Sequence, residues 1–130
     1  MRVLSVLWLL LPLTAFAENW SVVADVPSLH SKLAVDGDSF DTREDGGEWK
    51  ARARYRVVKA EADPDVPFQA TVGWTACSDG HGTVSVVADG KPQQDYRWDS
   101  KAAQTTEVDA TAFSLCNLWA RAIRDRANHR

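Results

Sequence analysis

The chain has little of what marks a nucleic-acid binder, a zinc protein or a membrane-embedded protein. Its 15 Lys and Arg are outnumbered by 18 Asp and Glu, for a formal net charge of -3 over 130 residues. No cationic excess is left to release counterions from phosphates, so nucleic acid is not an expected partner. The three histidines, His30, His81 and His129, fall in no H-E-x-x-H or comparable zinc spacing. There is no G-x-S-x-G elbow. No internal repeat or second-domain boundary interrupts the chain, and its length suits one globular domain.

Long apolar runs are also scarce, and the single candidate stands at the amino terminus. Arg2 precedes the stretch Val3–Leu13, broken only by Ser5 and Pro12, and Ala15-Phe16-Ala17 follows as an A-x-A cleavage signal. A membrane-spanning helix needs about 20 apolar residues; this run is shorter and reads as a secretory signal peptide over residues 1–17. Cleavage leaves residues 18–130 as one domain of 113 residues with net charge -4. The expected destination is the periplasm, the cell surface or the medium. No transmembrane segment is expected in the mature chain, and no cysteine near the cut offers a site for lipid attachment.

Cysteine is limited to Cys77 and Cys116, an even number in a chain bound for an oxidising compartment, and we expect them to pair. A redox-active pair would need C-x-x-C proximity, whereas these lie 39 positions apart.

Apolar and basic residues alternate at period two over Trp49–Val57. That predicts a strand with Trp49, Ala51, Ala53, Tyr55 and Val57 on one face and Lys50, Arg52, Arg54 and Arg56 on the other. Short strands are expected at Trp20–Val23 and Lys32–Val35, with Asp41–Gly47 as an exposed loop. Glu61–Pro67 reads as a proline-bearing linker. Phe68–Cys77 and Thr83–Ala88 read as a hairpin around Ser78–Gly82, and Asp95–Trp98 as one more short strand.

The period then lengthens. Ala112, Phe113, Cys116, Trp119, Ala122 and Ile123 recur at three- and four-residue spacing, predicting a C-terminal helix with Asp109 as its cap. Through Cys116 the helix would be tied across the sheet. The expected fold is α+β: an antiparallel β-sheet packed by a C-terminal helix, with one disulfide. The five tryptophans that survive cleavage, Trp20, Trp49, Trp74, Trp98 and Trp119, are read chiefly as core.

Lys50, Arg52, Arg54 and Arg56 form the candidate binding patch, a row of cations on one strand face that could hold a polyanion; the competing reading is a solvated outer face that discourages aggregation. Arg121, Arg124, Arg126 and Arg130 could extend it. They also suit a helix C-terminus without any ligand, with Arg121 able to pair with Asp125. The acidic cluster Asp36, Asp38, Asp41, Glu44 and Asp45 fails the EF-hand spacing, because Asp41 stands where glycine is needed and Gly47 where a bidentate glutamate belongs. Ser78, Asp79 and His81 name the members of a triad, but neighbours on one tight turn do not converge. No metal site, cofactor or enzymatic role is expected.

Trp20-Ser21-Val22-Val23, Val35-Asp36-Gly37-Asp38-Ser39-Phe40, the basic alternating strand, Cys77, the glycine-bearing hairpin, Trp98 and Cys116 together resemble the surface-adhesin protein E-like domain of Gram-negative bacteria. The resemblance spans about Asn19 to Cys116. Two features depart from it: Ala76 stands where an acidic residue is expected, and the chain continues past Cys116 into a basic tail. The resemblance implies an exported non-enzymatic binding module contacting host matrix or plasma proteins, and a homodimer is implied on the same ground alone. The alternative is a soluble periplasmic accessory or structural protein. Amino-terminal sequencing of the exported protein should begin at Glu18-Asn19-Trp20; a retained Met1 would contradict the signal-peptide reading.

Overall fold

The computed structural model describes residues 19–59, 66–103 and 105–128. The expected signal segment, residue 60, residues 61–65 of the expected linker and the last two residues, Arg130 among them, lie outside the described residues. Six strands, β1 (Trp20–Val26), β2 (Ser31–Asp45), β3 (Glu48–Lys59), β4 (Phe68–Gly73), β5 (His81–Ala88) and β6 (Gln94–Asp99), pair in sequence order as one antiparallel sheet. Two α-helices accompany them among the described residues, the short α1 (Trp74–Asp79) and the long α2 (Glu107–Asn128).

The period-two pattern of β3 appears as the alternating burial expected of it: Ala51, Ala53, Tyr55 and Val57 are buried and face α2. Leu33, Val35, Ala70, Val72, Val84 and Trp98 join them from the other strands, and Ala110, Ala112, Leu115 and Trp119 cover them from the helix. Tyr55 is the largest fully buried side chain. Its hydroxyl donates to Ser114 Oγ at 3.2 Å, which satisfies a polar group that burial would otherwise strand. Burial also raises the Tyr55 pKa, keeping the phenol neutral.

Four local features differ from the sequence reading. The segment Asp41–Asp45 is strand rather than loop, because it pairs with β3 from Asp41↔Arg52 to Asp45↔Glu48. Only Gly46 and Gly47 form the turn, with φ of 64° and 81°, values that suit glycine in a two-residue hairpin connection. The strand expected to reach Cys77 ends at Gly73, and Cys77 sits on α1. That turn of helix is held at its start by the Glu48 carboxylate, which accepts the Thr75 N–H at 2.9 Å. It is closed at its end by Gly80 in the left-handed region, whose N–H reaches Ala76 O at 2.9 Å.

The third difference is the start of α2. Asp109 lies inside the helix, and Thr106 takes the capping role: its hydroxyl accepts the Asp109 N–H at 3.0 Å. The Asp109 carboxylate reaches back to the Thr106 hydroxyl and accepts the Asp99 N–H at 2.9 Å, tying the helix start to the end of β6. The fourth difference concerns the tryptophans. Trp98 and Trp119 are core, whereas Trp49 and Trp74 are 53% and 46% exposed and Trp20 is half-buried. Trp74 packs edge-on against Trp119 with ring centroids 5.0 Å apart.

The disulfide joins Cys77 on α1 to Cys116 on α2, with Cα atoms 5.4 Å apart. It fastens the covering helix to the end of the sheet beyond β4. Closing a loop of 39 positions removes unfolded-state entropy equivalent to about 3–4 kcal/mol. Replacing both cysteines by alanine should therefore lower the unfolding free energy by about that amount in chemical denaturation. A loss below about 1 kcal/mol would show that the crosslink does not brace the fold.

Candidate functional site

The face of the sheet opposite α2 carries the residues that β3 alternates away from the core. Lys50, Arg52, Arg54 and Arg56 all lie there, half-buried along one strand. The antiparallel register sets their neighbours. On β2, Arg43 lies opposite Lys50, Asp41 opposite Arg52, Asp36 opposite Arg54 and Ala34 opposite Arg56. On β4, Gly73, Thr71 and Gln69 lie opposite Lys50, Arg52 and Arg54. Ser85 of β5 and Asp95 of β6 continue the Thr71 row, and Thr83 pairs with Arg97 one row on.

These neighbours turn the cation row into a face of alternating sign. Arg52 makes a two-pronged contact with Asp41, Nε to Oδ1 at 2.7 Å and Nη2 to Oδ2 at 2.9 Å. The bonded guanidinium holds the Asp41 carboxyl below its ordinary pKa, and the carboxylate raises that of Arg52. Lys50 Nζ stands 3.6 Å from Asp45. The Arg56 guanidinium lies 4.8 Å from the centroid of the Trp20 ring, a cation–π arrangement. Between Asp36 and Asp41 the pairing register shifts. Ser39 bridges the irregularity, its hydroxyl donating to Asp36 O at 2.6 Å and accepting the Arg54 N–H at 2.8 Å.

At the Lys50 end the face sinks into a trough of about 470 Å³ between Lys50 and Arg97, floored by Thr71, Gly73, Thr83 and Ser85. Two glycines permit its shape. A Cβ at Gly73 would come within 2.7 Å of the Glu48 carboxylate, and one at Gly82 within 2.7 Å of Ala76 Cβ, where α1 closes over the start of β5. Hydrogen bonds from the Thr75 backbone and side chain lower the pKa of Glu48. Asp95, bonded by Ser85 and Gln93, is lowered likewise. Arg97, Thr71 and Asp95 were not singled out from sequence; the signal that finds them is the polar phase of β4 and β6, which has meaning only once the strand register is known.

The sequence-predicted patch is brought together only in part. Lys50, Arg52, Arg54 and Arg56 share one surface, but Arg121 and Arg124 do not extend it, because α2 lies on the other side of the sheet. Arg121 forms no ion pair with Asp125 among the described residues and instead lines a cleft beside β1. Arg126 is exposed near the end of α2. Ser78 lines a different cavity from Asp79 and His81, and Cys77 is disulfide-bonded. The acidic residues Asp36–Asp45 are strung along β2, and among the described residues no three His, Cys, Asp or Glu side chains converge as metal ligands. No described helix is long and apolar enough to cross a membrane. Compared with family models, with curated proteins and with solved structures, the chain matches none.

The Asp41–Arg52 pair is exposed, and such pairs contribute at most about 1 kcal/mol. The sign of its pH dependence follows from the lowered Asp41 pKa: the contribution is present above the ordinary value of 3.8 and is lost as pH falls through the folded value. Asp41→Asn should thus reduce stability by less than about 1 kcal/mol at neutral pH, and by progressively less as the pH falls below the ordinary carboxylate value. A deficit that persists undiminished in acid would contradict this assignment.

Proposed function

We propose that this chain is an exported, non-enzymatic binding module that engages a protein ligand through the uncovered sheet face centred on β3. The observation that carries the proposal is the row Lys50, Arg52, Arg54 and Arg56, half-buried on a face opposite the covering helix and interleaved with Asp41, Asp45 and Asp95. Half-burial limits the side-chain entropy lost on binding, which preorganises the surface. Exposed ion pairs cost little to exchange, so a partner's own charges can replace Asp41 at Arg52 or Asp45 at Lys50. The alternating signs favour a protein surface, which offers both charges, over a uniform polyanion. The resemblance to the surface-adhesin protein E-like domain supports an adhesin-like reading with host matrix or plasma proteins as partners. A periplasmic accessory protein would use the same face on a different ligand.

Binding of the mature chain to a panel of immobilised matrix and plasma proteins, with heparin as the polyanion control, tests the proposal. Salt-sensitive retention should fall by about tenfold or more in the Arg52→Ala, Arg54→Ala, Arg56→Ala triple variant, a loss of at least about 1.4 kcal/mol. Equal binding by the triple variant and the parent would refute the assignment of this face. Antibody labelling of an epitope-tagged chain on intact cells separates the two locations. Surface labelling supports adhesion; release by osmotic shock without labelling supports the periplasmic role.

A further inference from the structure

A second surface lies at the sheet's edge, on the side of β1 that faces away from β2. β1 is an end strand, and among the described residues nothing pairs with its outer side. Asn19 O accepts the Gly37 N–H toward β2. Backbone groups alternate along an antiparallel strand, so Trp20 and Val22 direct theirs outward. Beside this edge runs a cleft of about 940 Å³ whose far wall is a stripe of α2 that includes Phe113 and Leu118. Its apolar content is exposed: Val22 is 62%, Phe113 41% and Val23 38% accessible. The helical stripe from Ala110 to Arg121 is about 16 Å long, the span of about five extended residues.

The charges at the cleft are unbalanced. Lys101 and Arg121 line it against the single acidic residue Asp25, and neither cation has an ion pair among the described residues. The strand itself limits what can pair with it. Its register with β2 shifts between Val22 and Ala24, a bulge that twists the edge and discourages a long flat partner such as another sheet. A short segment that pairs with the Trp20–Val22 side of the bulge meets no such obstacle.

We infer that the cleft between β1 and α2 is a strand-addition site for a short extended peptide segment of another protein. The segment is about five residues long, with apolar side chains at alternate positions and an acidic side chain at the Arg121 end. The backbone of β1 supplies main-chain hydrogen bonds, Phe113 and Leu118 receive the alternate side chains, and Arg121 selects the carboxylate.

The test uses the full mature chain and an acetylated, amidated heptapeptide that alternates valine and threonine and ends in glutamate. Titration followed by residue-resolved amide exchange should show saturable binding, with the Trp20 and Val22 amides slowed by about tenfold or more, as expected for newly bonded backbone groups. N-methylation of alternate peptide amides should weaken binding by about tenfold or more, because it removes the main-chain donors without changing the side chains. Replacing the peptide glutamate by glutamine, or Arg121→Gln in the protein, should weaken binding several-fold, and the two changes together should cost no more than either alone. Arg52→Ala, which alters only the β2–β3 pairing with Asp41, should leave peptide binding as in the parent. Absence of saturable binding, equal affinity for the N-methylated peptide, or protection confined to β3 would each overturn the inference.

Discussion

The attachment of α2 to one face of the sheet is the constraint on which the other features depend. Leu115, Trp119 and the small residues Ala110 and Ala112 press against Ala51, Ala53 and Ala70, whose short side chains let the helix approach closely. Tyr55 and Ser114 place a buried hydroxyl pair at the centre of that contact. The helix is tied at its start and at its middle by chemically different means. The Asp109 carboxylate and the Thr106 cap hold the helix start to β6, and the Cys77–Cys116 bond holds its middle to α1. A chain of this size buries a modest core, so such ties contribute a large share of a stability that is small in total.

Covering one face determines the character of the other. The strands must present their second set of side chains to solvent, and on β3 that set is cationic. Cross-strand register then matters more than composition, since it decides which acids stand beside which cations. Asp41 and Asp45 fall next to Arg52 and Lys50, and Trp20 falls under Arg56. The face therefore has local polarity with little net charge, consistent with a chain whose overall charge is only mildly negative. Recognition on such a surface depends on matching a pattern of charges rather than on general attraction to anions.

The fold class was legible because its signals are local: strict alternation over Trp49–Val57, three- and four-residue spacing in the last segment, and an even pair of cysteines. What was not legible depended on contacts between distant residues. The Asp41–Asp45 segment looks like a loop by composition, yet its acids become strand when basic β3 lies opposite and Gly46-Gly47 can turn tightly. The helix at Trp74–Asp79 interrupts an alternating pattern because Glu48, 27 positions from Thr75, caps it. Phe113 and Ile123 fit the apolar stripe but sit on its margin, while Leu115, three residues after Ala112 and four before Trp119, lies at its centre and is fully buried. The β3 half of the candidate patch followed from alternation alone. The failure of Arg121 and Arg124 to join it follows from the helix lying on the opposite side of the sheet, which no spacing within the helix reveals.

The claim that α2 seals one face of the sheet and leaves the other uncovered is tested most directly by hydroxyl-radical footprinting of the oxidised chain. The account predicts that Tyr55, Trp98 and Leu115 resist oxidation, while Val87, exposed in the Gln69–Arg54 row of the open face, is labelled readily. Labelling of Tyr55 and Leu115 together with protection of Val87 would place the helix on the other face and contradict the account.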